Sequence, residues 1–197
     1  EMQLRIYENT MRLDKSNDEL RRQKESGELA IDERKLVIDA DKALNLLLEE
    51  GSSIAFPETV SQMRDDMQQV ADRLNAAKVG GITQGIEEDI IAALEEMIEA
   101  LQKAQQDLEE QQQQGQPPPG QPMDMPLVDA LSELKMVRAL QMRVNTRTQR
   151  YAKLLDDMDD PTGQATDQDL QEALTKLAER QESIYQITRD LVLGKNK

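Results

Sequence analysis

Four aspartates within five positions, Asp156, Asp157, Asp159 and Asp160, come nearest to a chemical constellation in this 197-residue sequence. They follow an apolar-periodic stretch, and acids at the C-terminal end of a helix oppose its dipole by roughly 0.3–1 kcal/mol each. A bound Ca²⁺ would relieve that opposition. The spacing nevertheless departs from an EF-hand loop, which alternates its ligands, centres on a glycine and closes with a glutamate. A second group, Glu87-Glu88-Asp89 with Glu95, Glu96 and Glu99 beyond it, sets carboxylates one helical turn apart. With no imidazole, thiolate or cofactor loop for company, these acids read as a solvated helix face.

The chain contains neither histidine nor cysteine. That removes the commonest general base and metal ligand, the Glu-x-x-His pairs of di-iron bundles, the thiolate nucleophile and any disulfide framework. No phosphate loop, dinucleotide fingerprint or nucleophile elbow occurs. The sequence therefore reads as non-enzymatic and without a cofactor. A net charge of −15 repels nucleic-acid phosphates and anionic lipid surfaces. No apolar run approaches the roughly 18–20 residues of a spanning helix. A start at Glu1 rather than Met reads as a processed or excised segment, which is compatible with a removed signal peptide or anchor.

The elements that carry these residues follow from periodicity. With one Phe, three Tyr and no Trp, a core must be built from Leu, Ile, Val, Met and Ala, which suits helix-on-helix seams. The spacing predicts a long N-terminal helix over 1–50, weakest at Gly27, whose first seam of Ile6, Thr10, Leu13, Asn17 and Leu20 is sparse enough to lean on a partner. Residues 56–110 form a helical hairpin with two matched stripes: Val60, Met63, Met67, Val70 and Leu74, then Ile86, Ile90, Leu94, Met97 and Leu101. Val79-Gly80-Gly81 is its expected C-cap and turn, Thr83 the expected N-cap, and Phe56 a packing anchor beside Pro57. Residues 111–126 are a Gln/Pro-rich linker. A C-terminal helical hairpin over 127–197 completes the chain. Its first helix carries Lys135, Arg138, Arg143, Arg147, Arg150 and Lys153, which complements nine acids against one lysine between Glu87 and Glu110. The expected fold class is all-α: an elongated antiparallel helical bundle or coiled coil of about five helices in one domain.

One pattern recurs at the two ends. Ile6-Tyr7-x-x-Thr10-x-x-Leu13 returns as Ile184-Tyr185-x-x-Thr188-x-x-Leu191, with the threonines at register-setting core positions. These eight residues are the interface candidates, for self-association or a protein partner through the terminal helices. Two alternatives come from other classes. One is an acidic Ca²⁺-binding protein using the Asp156–Asp160 cluster. The other is a chaperone-like binder of apolar clients drawing on Met63, Met67 and Met97, although Met at heptad positions ordinarily fills core gaps.

The segments GSSIAFPE (51–58), EEDIIAALEEMIEAL (87–101), LSELKMVRALQMRVN (131–145) and LAERQ (177–181) resemble an uncharacterised family of helical, envelope-associated proteins of planctomycete bacteria. The resemblance covers most of the chain outside the Gln/Pro linker. It implies a preceding signal peptide, a periplasmic or secreted location, and neighbours similar to the ExbB/ExbD or TolQ/TolR proton-driven transport proteins. It brings no catalytic residue, and a cytoplasmic location is also compatible with the sequence.

Overall fold

The computed structural model describes residues 1–113, 130–153 and 168–194, which include six helices and no strand. The helices are α1 (Met2–Asp14), α2 (Glu19–Glu50), α3 (Ala55–Asn75), α4 (Gly81–Gln113), α5 (Ala130–Ala152) and α6 (Gln168–Val192). The chain divides into two compact units, Glu1–Asp129 and Ala130–Lys197. Among the described residues no helix is long and apolar enough to cross a membrane.

The first unit differs from expectation at its start, where the N-terminal helix is broken after Asp14 and not at Gly27. Short polar side chains supply the reason. Asp18 N-caps α2 by accepting the Arg21 N–H at 3.0 Å on Oδ1, and Ser16 Oγ accepts the Asp18 N–H at 3.3 Å. Such side chains offer the backbone an alternative to helical pairing. A single interior glycine costs only about 1 kcal/mol relative to Ala, too little to interrupt α2 at Gly27. The break lets α1 fold back along α2.

The α2–α3 boundary keeps ordinary helix-end chemistry. Gly51 ends α2 in the left-handed conformation (φ 74°), its N–H bonded to the Leu47 carbonyl oxygen at 3.1 Å. Pro57 sits in the first turn of α3, and Phe56 is an anchor at 1% exposure, its N–H donating to Ser53 Oγ at 3.2 Å. The α3–α4 turn is closed differently. The left-handed residue is Ala77 (φ 55°), not a glycine, and the Lys78 N–H reaches back to the Arg73 carbonyl oxygen at 2.8 Å. Thr83 lies inside α4, where its hydroxyl donates to the Lys78 carbonyl oxygen at 2.5 Å and accepts from Arg73 Nε at 2.9 Å.

Packing then forms a ring of four helices. α3 lies against α2 and α4, and α1 lies against the same two helices. Side-chain pairs show that α1 runs antiparallel to both: Gln3 with Glu33 and Arg12 with Glu25 on α2, Tyr7 with Glu88 and Asp14 with Gln84 on α4. The core between them is Ile6, Leu13, Ala30, Val70, Leu74 and Ile90. At 1.5 Å per residue, α1 is about 20 Å long while α2 and α4 are close to 50 Å. The fourth place in the ring is therefore filled over less than half its length.

The second unit is a helix pair. Met136, Leu140, Val144 and Tyr151 of α5 and Leu170, Leu177 and Ile184 of α6 are buried. Gln141 and Gln181 exchange reciprocal amide hydrogen bonds at 2.8 Å between the two helices.

Candidate functional site

The cleft between α2 and α4 holds the two features of this chain that ordinary packing does not explain. The first lies beneath α1. Glu33 of α2 and Glu87 of α4 are both completely buried, each at a position where the apolar stripe of its helix calls for a hydrophobe. Glu33 Oε2 accepts from Gln3 Nε2 at 3.2 Å, while Glu33 Oε1 and Gln3 Oε1 are buried without a partner. Thr10 Oγ1 lies 2.7 Å from Glu87 Oε1 and 3.1 Å from the Ile6 carbonyl oxygen. A hydroxyl has one proton to give. Both contacts are satisfied when Thr10 donates to Ile6 and a protonated Glu87 donates to Thr10.

Electrostatics point the same way. Burial pushes the Glu33 carboxyl up to about 8, opposed by the Gln3 hydrogen bond and reinforced by the charge of Glu87. Burial raises Glu87 to about 7, opposed by Thr10 and reinforced by Glu88. Neither carboxyl has a basic partner among the described residues. A buried carboxylate without a cation is costly, so at neutral pH Glu33 holds its proton and Glu87 stands at its titration midpoint. The expectation of a solvated acidic face is thus corrected for Glu87 and for Asp89, which is also buried; Glu88, Glu95 and Glu99 are exposed. The missed signal was an acid in step with Leu29 and Val37 on α2, and another in step with Ile90 and Met97 on α4.

The second feature begins where α1 ends. Past Gln3 the cleft continues as an open groove of about 650 Å³. Its floor is Phe56, Val60 and Met63 of α3, and its walls are Leu36, Ala43 and Leu47 of α2 and Leu94, Ile98 and Leu101 of α4. Leu46, Ile98 and Leu101 are about half or more exposed. The α4 stripe that the sequence presented as uniform is therefore buried at Ile86 and Ile90 and open to solvent at Leu101. A groove of about 750 Å³ between α1 and α2 is unlike it, being walled by Arg5, Arg12 and Arg21 in ion pairs with Asp32 and Glu25.

The interface candidates occupy different settings. Ile6, Thr10 and Leu13 are buried in the seat of α1, and Tyr7 donates to Glu88 Oε1 at 2.8 Å. The sparse N-terminal seam thus finds its cover within the chain. In the second unit Ile184 is buried, Thr188 and Leu191 are half-buried, and Tyr185 is exposed. The two copies belong to different units. Asp156, Asp157, Asp159 and Asp160 lie outside the described residues, as does most of the Gln/Pro linker. Among the described residues no three acid, histidine or cysteine side chains converge in a way that could hold a metal ion.

No protein-family profile, curated protein or solved structure matches this chain.

Proposed function

We propose that this protein is a non-enzymatic helical scaffold or adaptor, a bundle with coiled-coil packing that binds another protein by completing its own four-helix ring. One observation carries the reading: the fourth place between α2 and α4 is filled by α1 over Ile6 to Leu13 and left as an apolar groove beyond Gln3. A monomer rarely leaves a concave, contiguous apolar surface in water without a use for it. The terminal repeat offers a second contact only through Tyr185 and its neighbours on α6, since the α1 copy is enclosed. The family resemblance is what supports placing this activity in a bacterial cell envelope.

Site-specific photocrosslinking in the native cell tests the reading. Crosslinkers at Leu46, Ile98 and Leu101 should give discrete adducts, and a crosslinker at Asp72, exposed on α3 away from the groove, should give none. Equal labelling at all four positions, or none anywhere, refutes the scaffold reading. A second reading, a chaperone-like holder of apolar clients, is favoured by the presence of Met63, Met67 and Met97 in the groove, because Met adapts to varied surfaces. It requires many different adducts at Leu101 in place of a few.

A further inference from the structure

We infer that the open half of the α2–α4 cleft receives an apolar-faced helix of a partner polypeptide, running in the same direction as α1 and presenting a basic side chain to Asp39. This inference rests on the scaffold reading and names the partner's chemistry. α1 itself shows how this cleft accepts a helix. It inserts Ile6 and Leu13, and the residue just before each of them is an arginine that reaches an acid on α2: Arg5 to Asp32 at 3.0 Å and Arg12 to Glu25 at 3.1 Å. The two arginines are seven residues apart, and so are the two acids.

The row of acids does not stop with α1. Asp39 stands seven residues beyond Asp32, one further heptad along the same face of α2, and it lines the open groove. Having no arginine of α1 opposite, it pairs among the described residues with Lys42 on its own helix at 2.8 Å, both side chains being 68% exposed. On α4, exposed Glu95 stands one heptad beyond the Glu88 that Tyr7 of α1 reaches. Small side chains at Ala40 and Ala43 leave room for an incoming backbone, with Leu47 and Leu101 flanking it. From residue 34 to the end of α2 the vacant length is about 25 Å, or roughly two and a half heptads. Charge selects a separate partner over a second copy. A chain of net charge −15 repels itself, whereas an acidic rim attracts a basic helix. The stripes of α1, α5 and α6 that carry Ile6, Leu140 and Ile184 are also already buried.

The test uses the full chain and two synthetic three-heptad peptides with Leu and Ile at the core positions. One carries Arg immediately before every second core residue, and the other carries Gln there. By fluorescence anisotropy the Arg peptide should bind, Leu101→Glu should weaken it about tenfold or more, and Asp39→Arg should weaken it about three- to tenfold while changing the Gln peptide less than about twofold. A photocrosslinker at the peptide C-terminus should label the chain near Met2, and one at the N-terminus near Leu47. Both substituted positions are exposed, so neither variant endangers the fold. Equal affinity for the two peptides, indifference to Asp39→Arg, or the reverse labelling pattern overturns the partner chemistry while leaving the groove as a docking site. Absence of binding by either peptide overturns the groove itself. Self-association abolished by Leu101→Glu assigns the groove to a second copy and likewise overturns the inference.

Discussion

Raising the pH from 6 to 9 should release α1 from its seat while the rest of the first unit stays folded. The two buried carboxyls set the direction. Glu33 at about 8 and Glu87 at about 7 lie above the ordinary 4.5, so the folded state holds protons that the unfolded state gives up. Stability from these groups is fully present below about pH 4.5. It falls as pH rises, until Glu87 ionises near 7 and Glu33 near 8. Each pH unit in that window costs about 1.4 kcal/mol per group. By pH 8.5 the summed cost is on the order of 8 kcal/mol, an upper bound because any opening that admits water relieves it. Against it, burying Ile6 and Leu13 contributes about 1.5–3 kcal/mol each. The cheaper outcome is local: α1 lifts, water reaches both carboxylates, and α2, α3 and α4 keep their mutual packing.

The surrounding charges do not remove this conflict. On α1, Arg5 and Arg12 are engaged with Asp32 and Glu25. On α2, Arg22 donates to the Ser16 carbonyl oxygen. α3 contributes buried Asp66 and half-buried Arg73, the latter engaged with Thr83 Oγ1, and α4 contributes the acids Glu88 and Asp89. The window is also clean, because a chain without histidine or cysteine lacks the side chains that ordinarily titrate there. The same lack of cysteine allows a single fluorophore to be placed through Glu8→Cys on the exposed face of α1. Its anisotropy should fall between pH 6 and 8 with little loss of helical ellipticity. The double variant Glu33→Gln, Glu87→Gln should keep the anisotropy high to pH 9. A flat parent profile, or the same transition in the double variant, refutes the reasoning.

Three further outcomes follow from single contacts. Ala77→Gly should raise stability by about 1 kcal/mol in urea unfolding, since Ala77 holds a left-handed conformation that glycine adopts freely. Phe56→Ala should cost about 3–5 kcal/mol by the same measurement, because a side chain at 1% exposure leaves a cavity that α2, α3 and α4 can only partly close. Arg5→Ala should change stability by less than about 0.5 kcal/mol despite the 3.0 Å ion pair, the arginine being 61% exposed and screened by water.

What periodicity could reveal was the pairing of α3 with α4, because both stripes repeat over five core residues and a short turn leaves no other neighbour. It could not reveal where the turn puts its strained residue, since two adjacent glycines advertise a left-handed site that the chain assigns to Ala77. The buried acids escaped for a deeper reason. Whether Glu87 is solvated depends on what lies over it, and that is α1, whose return depends in turn on the local hydrogen bonds of Ser16 and Asp18. A heptad count has no access to that step. It read Ile6, Thr10 and Leu13 as a sparse seam in need of a partner, and the need was real. Once α2 and α4 meet it, the same shortage reappears further along the cleft, where Leu47, Ile98 and Leu101 line a place that no helix of the first unit fills. A short helix on two long ones cannot cover both ends of them, so the exposed apolar surface is relocated by the fold and not removed.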